Sequence, residues 1–221
     1  DPARYSQAAA KLDDCVVHGP GSGAELLLVE GDSAQSSVVA VRNDRTQAVL
    51  PLRGKPLNAW AVSADKVAQH VLFQQLAEAL GLLHPTAMPA DGVAALRYER
   101  IVLMFDPDAD GIHIGALMTL YFARWLPGLI DAGALCLCRT PMFEIVDGDG
   151  VLHHALTPDH CQRIVRSLAP APAPTVQAFR SLGSIAPDTL RRLCVDPATR
   201  LCKPITRDDV QHVIDIFGPS T

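Results

Sequence analysis

Leu26-Leu27-Leu28-Val29-Glu30-Gly31-Asp32-Ser33-Ala34 sets an acidic cluster directly after a short apolar run. Ile101-Val102-Leu103-Met104-Phe105-Asp106-Pro107-Asp108-Ala109-Asp110-Gly111 repeats the arrangement further along. Each apolar run has the length and composition of a buried strand, so both acidic clusters are predicted at strand ends. In an open α/β sheet, ligands bind beyond the carboxyl ends of the strands. Glu30, Asp106, Asp108 and Asp110 gathered there repel one another unless a cation sits among them. Mg²⁺, a hard cation that takes oxygen ligands, is the expected occupant, with Mn²⁺ as a substitute. Along extended backbone, alternate residues share a side, so Asp106, Asp108 and Asp110 are expected to converge. Gly111 is expected to supply a permissive turn into the next helix. Such a site suits work on phosphodiesters.

Two other readings compete. The pattern Asp-x-Asp-x-Asp-Gly also opens a calcium-binding helix–loop–helix, but Leu117 stands where that loop needs its bidentate Glu, and a strand precedes it. Acids that merely cap helix N-termini account for Asp32 or Asp110. They do not account for four carboxylates at two strand ends.

Helical segments separate the two strands, the pattern of a parallel sheet with crossover helices. Residues 1–24, ending in Gly19-Pro20-Gly21-Ser22-Gly23, read as a flexible lead-in. Residues 25–168 read as the main domain. Within it, strand 25–30 precedes a helix over 33–41 capped by Ser33, and a basic, turn-rich stretch fills 42–58. A helix is predicted over 67–80, with Val71, Leu72, Leu76, Ala79 and Leu80 on one face and Gly81 stopping it. After a loop at 84–92 come a strand at 98–105 and a helix over 112–130, broken near Pro127-Gly128. Strands follow at 135–140 and 142–146, then a hairpin turn at 147–150 into 151–156. A helix over 158–168 is capped by Thr157. Residues 169–174 are a Pro/Ala linker. Residues 175–221 read as a small carboxyl-terminal helical appendage, with helices at 187–193 and 207–217.

The chain has 221 residues, 48% of them hydrophobic, ample for a core and too apolar for general disorder. No apolar run approaches the ~20 residues of a membrane span, and Asp1-Pro2-Ala3-Arg4 lacks the pattern of a secretory signal. Six scattered cysteines without a C-x-x-C pair read as reduced thiols, so a cytoplasmic protein with no membrane partner is expected. The net charge of −5 is unusual for a nucleic-acid binder, although four of the negative charges belong to the acidic site. Cys136 and Cys138 are expected to share one strand face as packing residues, and Trp60 and Trp125 to pack. His153, His154, His160 and Cys161 lack standard zinc spacing.

The ordered motifs carry a family resemblance. Glu30-Gly31-Asp32-Ser33-Ala34 with Asp106-x-Asp108-x-Asp110-Gly111-x-His113-Ile114 resembles the TOPRIM domain of type IIA DNA topoisomerases, in particular the B subunits of bacterial gyrase and topoisomerase IV. Lys11-Leu12-Asp13-Asp14-Cys15, the stretch Ala48 to Asn58, Thr140-Pro141-Met142-Phe143, Phe179-Arg180-Ser181-Leu182-Gly183 and Asp196-Pro197-x-Thr199-Arg200 extend the likeness over nearly the whole chain. The resemblance implies a TOPRIM-type, Rossmann-like parallel sheet flanked by helices. It implies Glu30 as general acid/base and metal ligand, Asp106 and Asp108 as further ligands, and Asp110 as support. Lys55 is implied to aid the transition state, and Arg53, Lys55, Asn58, His113 and Arg180 to contact DNA. The nucleophile in this family is a tyrosine on a separate A subunit, and none of Tyr5, Tyr98 or Tyr121 sits in a motif resembling it. The likeness does not include the family's ATPase region, so no ATP site is expected in this chain. Localisation with the bacterial nucleoid in the cytoplasm follows from the same resemblance.

Departures cluster on the cationic side. Gln35, Ser36, Ser37, Val38 and Val39 replace small glycines and basic residues, Gly115 replaces an arginine, and Ser181 and Ser184 replace a glycine and a glutamate. Pro107 stiffens the acidic loop. Three functions are therefore weighed: half of a DNA cleavage–religation site, a non-catalytic module docking on an A-type subunit as decoy or regulator, and a nuclease acting alone.

Overall fold

The computed structural model describes residues 11–218. The first part of the expected lead-in, with Tyr5, and the chain end at Thr221 lie outside the described residues.

The first apolar run forms β1 (Glu25–Glu30), with Leu26 to Val29 fully buried, as a central parallel strand covered on both faces must be. After α1 (Gly31–Val39), β2 (Gln47–Leu52) pairs in parallel with β1, from Glu25↔Gln47 to Glu30↔Leu52. Helices α2 (Ala64–Gln69) and α3 (Val71–Leu80) and a 3-10 turn at Gly92–Ala95 lead to β3 (Arg100–Leu103). β3 lies parallel on the other side of β1, Leu28 opposite Leu103. Next come α4 (Ala109–Trp125), α5 (Pro127–Asp131) and β4 (Leu135–Cys138), parallel to β3. β5 (Phe143–Val146) and β6 (Leu152–Ala155) make the expected hairpin, followed by α6 (Pro158–Ser167) with Thr157 as its cap. β7 (Thr175–Ala178) returns to β5, and α7 (Pro187–Leu190) runs into a π turn at Arg191–Val195. β8 (Cys202–Pro204) and α8 (Arg207–Phe217) complete the described elements.

The main sheet has five strands in the order β2-β1-β3-β4-β8, parallel except for the antiparallel edge strand β8; a three-stranded sheet, β6-β5-β7, stands beside it. This is the expected α/β fold. The chain leaves β1 for β2 on one side and reaches β3 on the other. The strand order therefore reverses between β1 and β3, the crevice where open α/β sheets bind ligands. Residues of α2 to α5 and α8 cover one sheet face. Those of α1 and of the segment from Phe179 to Val195 cover the other.

Several local expectations give way to tertiary constraints. The turn-rich stretch at 42–58 holds β2, which is buried throughout. Pro51 disguises it, yet fits there because β2 is the sheet edge, where a missing N–H costs little. Ser33 is not the cap of α1. The helix begins at Gly31, with Glu30 at the cap position and no side-chain cap bond. The helix predicted over 67–80 is two helices, broken where His70 turns extended (φ −77°, ψ 120°), and Val71 points to solvent at 62% exposure. Gly81 ends α3 in the left-handed region as expected. α4 starts at Ala109 rather than 112 because Asp108 caps it, and it breaks at Leu126, before Pro127. The segment 175–221 contributes strands β7 and β8 as well as helices. The described part of the lead-in is tied down: Lys11 O accepts from Gln35, Asp13 exchanges backbone bonds with Val49, and Asp14 accepts from Tyr98 and from the Arg97 guanidinium.

At the amino end of β1 a buried charge holds both layers. Glu25 accepts two bonds from Arg200, at 2.6 Å each, one from Arg100 at 3.0 Å and one from Gln47 at 3.0 Å. Burial pushes the Glu25 carboxyl up, but the bonds from Arg200 and Gln47 more than offset it and hold it below the usual value. Removing one partner of such a pair strands a buried charge. Arg200→Ala is therefore expected to cost about 3–5 kcal/mol in urea unfolding at neutral pH. Because the folded carboxyl is depressed, the pair's contribution is complete above the unfolded value near 4.5 and is lost as pH falls through the folded one. The deficit of the variant should shrink correspondingly in acid.

Candidate active site

Glu30 ends β1 in extended conformation (φ −96°, ψ 103°), and Gly31 follows at φ 76°. That left-handed residue turns the chain sharply from strand into α1, a conformation a side chain would resist. The Glu30 side chain points into the crevice. Its Oε2 is buried and has no hydrogen-bond partner. Burial raises its carboxyl pKa, and the charges of Asp106, Asp108 and Asp110 raise it further, with Lys55 acting against them. An orphaned carboxylate oxygen facing three more carboxylates fits a divalent cation.

The second cluster is placed differently from the alternating reading. Asp106 follows β3 and accepts from the backbone N–H of Leu182 at 2.9 Å. Burial raises its pKa, that bond lowers it, and Asp108 raises it again. Asp108 is the cap of α4, its Oδ1 accepting from Gly111 N–H at 2.8 Å. Asp110 already lies in the first turn of α4, largely exposed, 3.2 Å from Lys55 Nζ. The three acids thus reach the crevice through a strand end, a cap and a helical turn rather than along one extended edge. Gly111 is not the loop's turn residue either. It sits inside α4, where a Cβ would come within 1.9 Å of the Asp106 carbonyl oxygen. Only hydrogen fits there.

Glu30, Asp32, Arg53, Lys55 and Asp110 line one open cleft of about 490 Å³. Arg53 holds Asp32 through three contacts between 2.8 and 3.1 Å. Asp106 opens instead onto a neighbouring apolar groove with Gly111, Arg139 and Thr140. Among the described residues no three of the four acids bring oxygens within 4.8 Å of one another. This spacing suits Mg²⁺, which keeps several waters and takes one or two carboxylates, better than an all-protein cage. The one group of described residues that does meet that spacing, Asp14, Cys15 and His18, has its aspartate engaged by Arg97, Tyr98 and His18.

Asn58 and His113 stand apart from the cleft. Asn58 Nδ2 donates to the Phe217 carbonyl at 2.7 Å, and the His113 ring stacks on the Phe217 ring at 5.3 Å. Arg180 is exposed on the segment that delivers Leu182 to Asp106. Ser181 and Ser184 there form a reciprocal capping box, which fixes the turn that aims the Leu182 N–H. In the sequence these serines stand out only as departures from a glycine and a glutamate, and nothing local signals this role. The Asp32–Arg53 pair is equally hidden there, since nothing local in either motif announces a partner. His153 and His154 pair across their hairpin region with Asp147 and Glu144, at 2.9 and 3.0 Å.

A mostly parallel sheet with acids at its switch point, a Glu at the end of β1 and an Asp-x-Asp-x-Asp series after the neighbouring β3, defines a Toprim domain. Residues 25–132 match that domain, so this part of the chain is a Toprim domain. Over 200 residues, 90% of the chain, it is 34% identical to the B subunit of DNA topoisomerase 4 from Escherichia coli (strain K12). It is 34% identical over 213 residues to the novobiocin-sensitive DNA gyrase B subunit of Streptomyces niveus. The B subunit of DNA topoisomerase 4 from Haemophilus influenzae is 36% identical over 185 residues. These last two matches cover 94% and 83% of the chain but 30% and 28% of the relatives. The chain spans about a third of the length of the curated relatives it matches.

The Gly111 contact yields a direct test. Gly111→Ala forces the Asp106 carbonyl aside and should cost about 1–3 kcal/mol by thermal unfolding, as overpacking does. Ala116→Gly, on the same helix, should cost no more than about 1 kcal/mol.

Proposed function

We propose that this domain is the magnesium-dependent half of a DNA cleavage–religation site, working with a tyrosine-bearing A-type subunit of the gyrase or topoisomerase IV kind. The observation that carries the reading is the buried, unpartnered Glu30 oxygen facing Asp106, Asp108 and Asp110 at the switch point. Glu30 with Asp106, and Asp106 with Asp108, would hold Mg²⁺, or Mn²⁺ in its place, while Asp110 supports the cluster. An ion held by these residues would neutralise charge on the scissile phosphate. Glu30 holds and returns the proton at the departing 3′ oxygen. Lys55 steadies the phosphate, with Arg53, Asn58, His113 and Arg180 following the DNA backbone. The reading takes the nucleophile from the A-type subunit; of the described tyrosines, Tyr98 donates to Asp14 and Tyr121 to the Pro85 carbonyl at 2.6 Å, and both rings are fully buried. Among the described residues no helix is long and apolar enough to cross a membrane. The reading places this work in the bacterial cytoplasm, at the nucleoid.

A second reading, a non-catalytic module docked on an A-type subunit, is favoured by one observation. Arg53 and Lys55 are paired with Asp32 and Asp110 rather than turned to an incoming phosphate.

Calorimetric titration of Mg²⁺ and Mn²⁺ should give saturable binding that the Asp106→Ala/Asp108→Ala variant loses. With an A-type subunit and supercoiled DNA, the pair should trap a covalent protein–DNA complex, at least a hundredfold less with Glu30→Ala on the scale of lost proton-transfer catalysis, roughly 10²–10⁴. DNA bound by the pair with no covalent complex under any metal condition would sink the catalytic reading in favour of the docking module. Nicking by the chain alone would point to a nuclease.

Arg53→Ala and Lys55→Ala should each weaken DNA binding without regard to sequence and lower the slope of log K against log salt by about 1. Retention of the full slope would remove these residues from the interface.

A further inference from the structure

Three cysteines meet where the edge strand joins the main sheet. Cys138 on β4 stands directly opposite Cys202 on β8, and Cys138 Sγ donates to the Cys194 carbonyl at 3.7 Å. Two ladder bonds fix the kind of pairing. Arg139 N–H donates to Leu201 O at 2.7 Å, and Ile205 N–H to Leu135 O at 2.8 Å. Hydrogen-bonded pairs therefore fall at 135↔205 and 139↔201, and alternation leaves Cys138↔Cys202 as a non-hydrogen-bonded pair. Such pairs set Cα atoms about 4.5 Å apart with side chains close, within the roughly 4.4–6.8 Å that disulfides span. Both side chains lie on the sheet face packed by α1 and the segment from Phe179 to Val195. Cys136 faces Pro204 and reaches Cys202 only diagonally, at roughly 7–8 Å between Cα atoms.

The two thiols are unequal. Cys138 is buried, while Cys202 is half-buried on a three-residue edge strand. A hydrogen bond from Cys138 holds the Cys202 thiol below its usual value, against its burial, and the Arg200 charge assists. Hydrogen bonding with Cys194 and Cys202, together with burial, pushes Cys138 well up. Cys202 is thus the reachable nucleophile, with a resolving thiol beside it. Among the described residues the thiols do not gather three at a time at metal-binding spacing, which leaves two-thiol chemistry.

We propose that Cys202 and Cys138 are a redox-responsive pair, oxidised by hydrogen peroxide to a cross-strand disulfide that staples β8 to β4. The Cys202 thiolate sulfur attacks one peroxide oxygen. The O–O bond breaks, leaving a sulfenic acid and a hydroxide that solvent protonates to water. The Cys138 sulfur then attacks the Cys202 sulfur. The S–S bond forms, the S–O bond breaks, and the oxygen leaves as water with the Cys138 proton. The two thiols lose two electrons in all, and one peroxide becomes two waters. β8 feeds α8, whose Phe217 holds Asn58 and His113 and lines the groove onto which Asp106 opens, so the staple fixes an element beside the acidic crevice. In a reducing compartment, reversible disulfides of this kind are redox-sensing rather than structural.

The test treats the full chain with hydrogen peroxide at neutral pH, alkylates remaining thiols and maps tryptic peptides by mass spectrometry. Trypsin separates Cys202 (peptide 201–207) from Cys194 (193–200) and from Cys136 with Cys138 (125–139). The expected product links 125–139 to 201–207 through Cys138, persists in Cys136→Ser and disappears in Cys202→Ser. Its formation should raise Tm by roughly 5–10 °C, reversed by dithiothreitol. A link to Cys194 or Cys136 instead, over-oxidation of Cys202 without a link, or no linked peptide overturns the proposal. Because the mapping is read on the unaltered chain, it stands even if a variant fails to fold.

Discussion

The parallel register of β1 with its two neighbours is the constraint on which the site rests. β1 is hydrogen-bonded to β2 along its whole length and to β3 from Glu25↔Arg100 to Leu28↔Leu103. Glu30 lies two residues beyond Leu28, and Asp106 three beyond Leu103, so the two acids leave the sheet at similar height. Two helices start there at once, α1 at Gly31 and α4 after the Asp108 cap. Their amino ends carry partial positive charge towards the crevice, which eases part of the repulsion that register imposes. A one-residue slip in either ladder would exchange the two packed faces of that strand and dissolve the site with it.

Charge is handled differently at the two ends of β1. At the amino end Glu25 is enclosed and fully partnered by Arg200, Arg100 and Gln47, and its charge is a structural tie between distant segments. At the carboxyl end Glu30 is left with a buried oxygen that no described residue satisfies. Native proteins rarely leave such groups unpaired, and functional sites are where they do. No nearby cation bonds to that oxygen. Arg53 and Lys55 are engaged by the exposed acids Asp32 and Asp110, pairs that solvent screens heavily.

The segment beyond residue 132, outside the Toprim match, still completes the crevice. The Ser181–Ser184 turn presents the Leu182 N–H to Asp106, and the end of α8 holds Asn58 and stacks on His113. Residues that differ from the topoisomerase pattern, such as Ser181 and Ser184, thus acquire a backbone role in shaping this turn. The same segment brings Cys202 onto β4 and Arg200 onto Glu25, so one short stretch ties the sheet edge, the buried charge and the site rim together.

What the sequence by itself determined are the features written locally: continuous apolar runs for β1 and β3, acids directly after them, Thr157 and Gly81 as helix boundaries, and motifs specific enough to mark the family. Those signals survive because strand burial and helix ends depend on neighbours within a few residues. β2 escaped because Pro51 contradicts a central strand and is harmless only at an edge, a fact of sheet order. β7 and β8 escaped because three- and four-residue strands carry no periodicity of their own and exist only where β5 and β4 offer a free edge. The tertiary structure alone decided that Asp108 caps α4 while Asp106 meets Leu182, that Asn58 and His113 serve α8, and that Cys138 faces Cys202. Each of these contacts beyond the cap joins residues far apart in the chain, and only the packed sheet sets their distance.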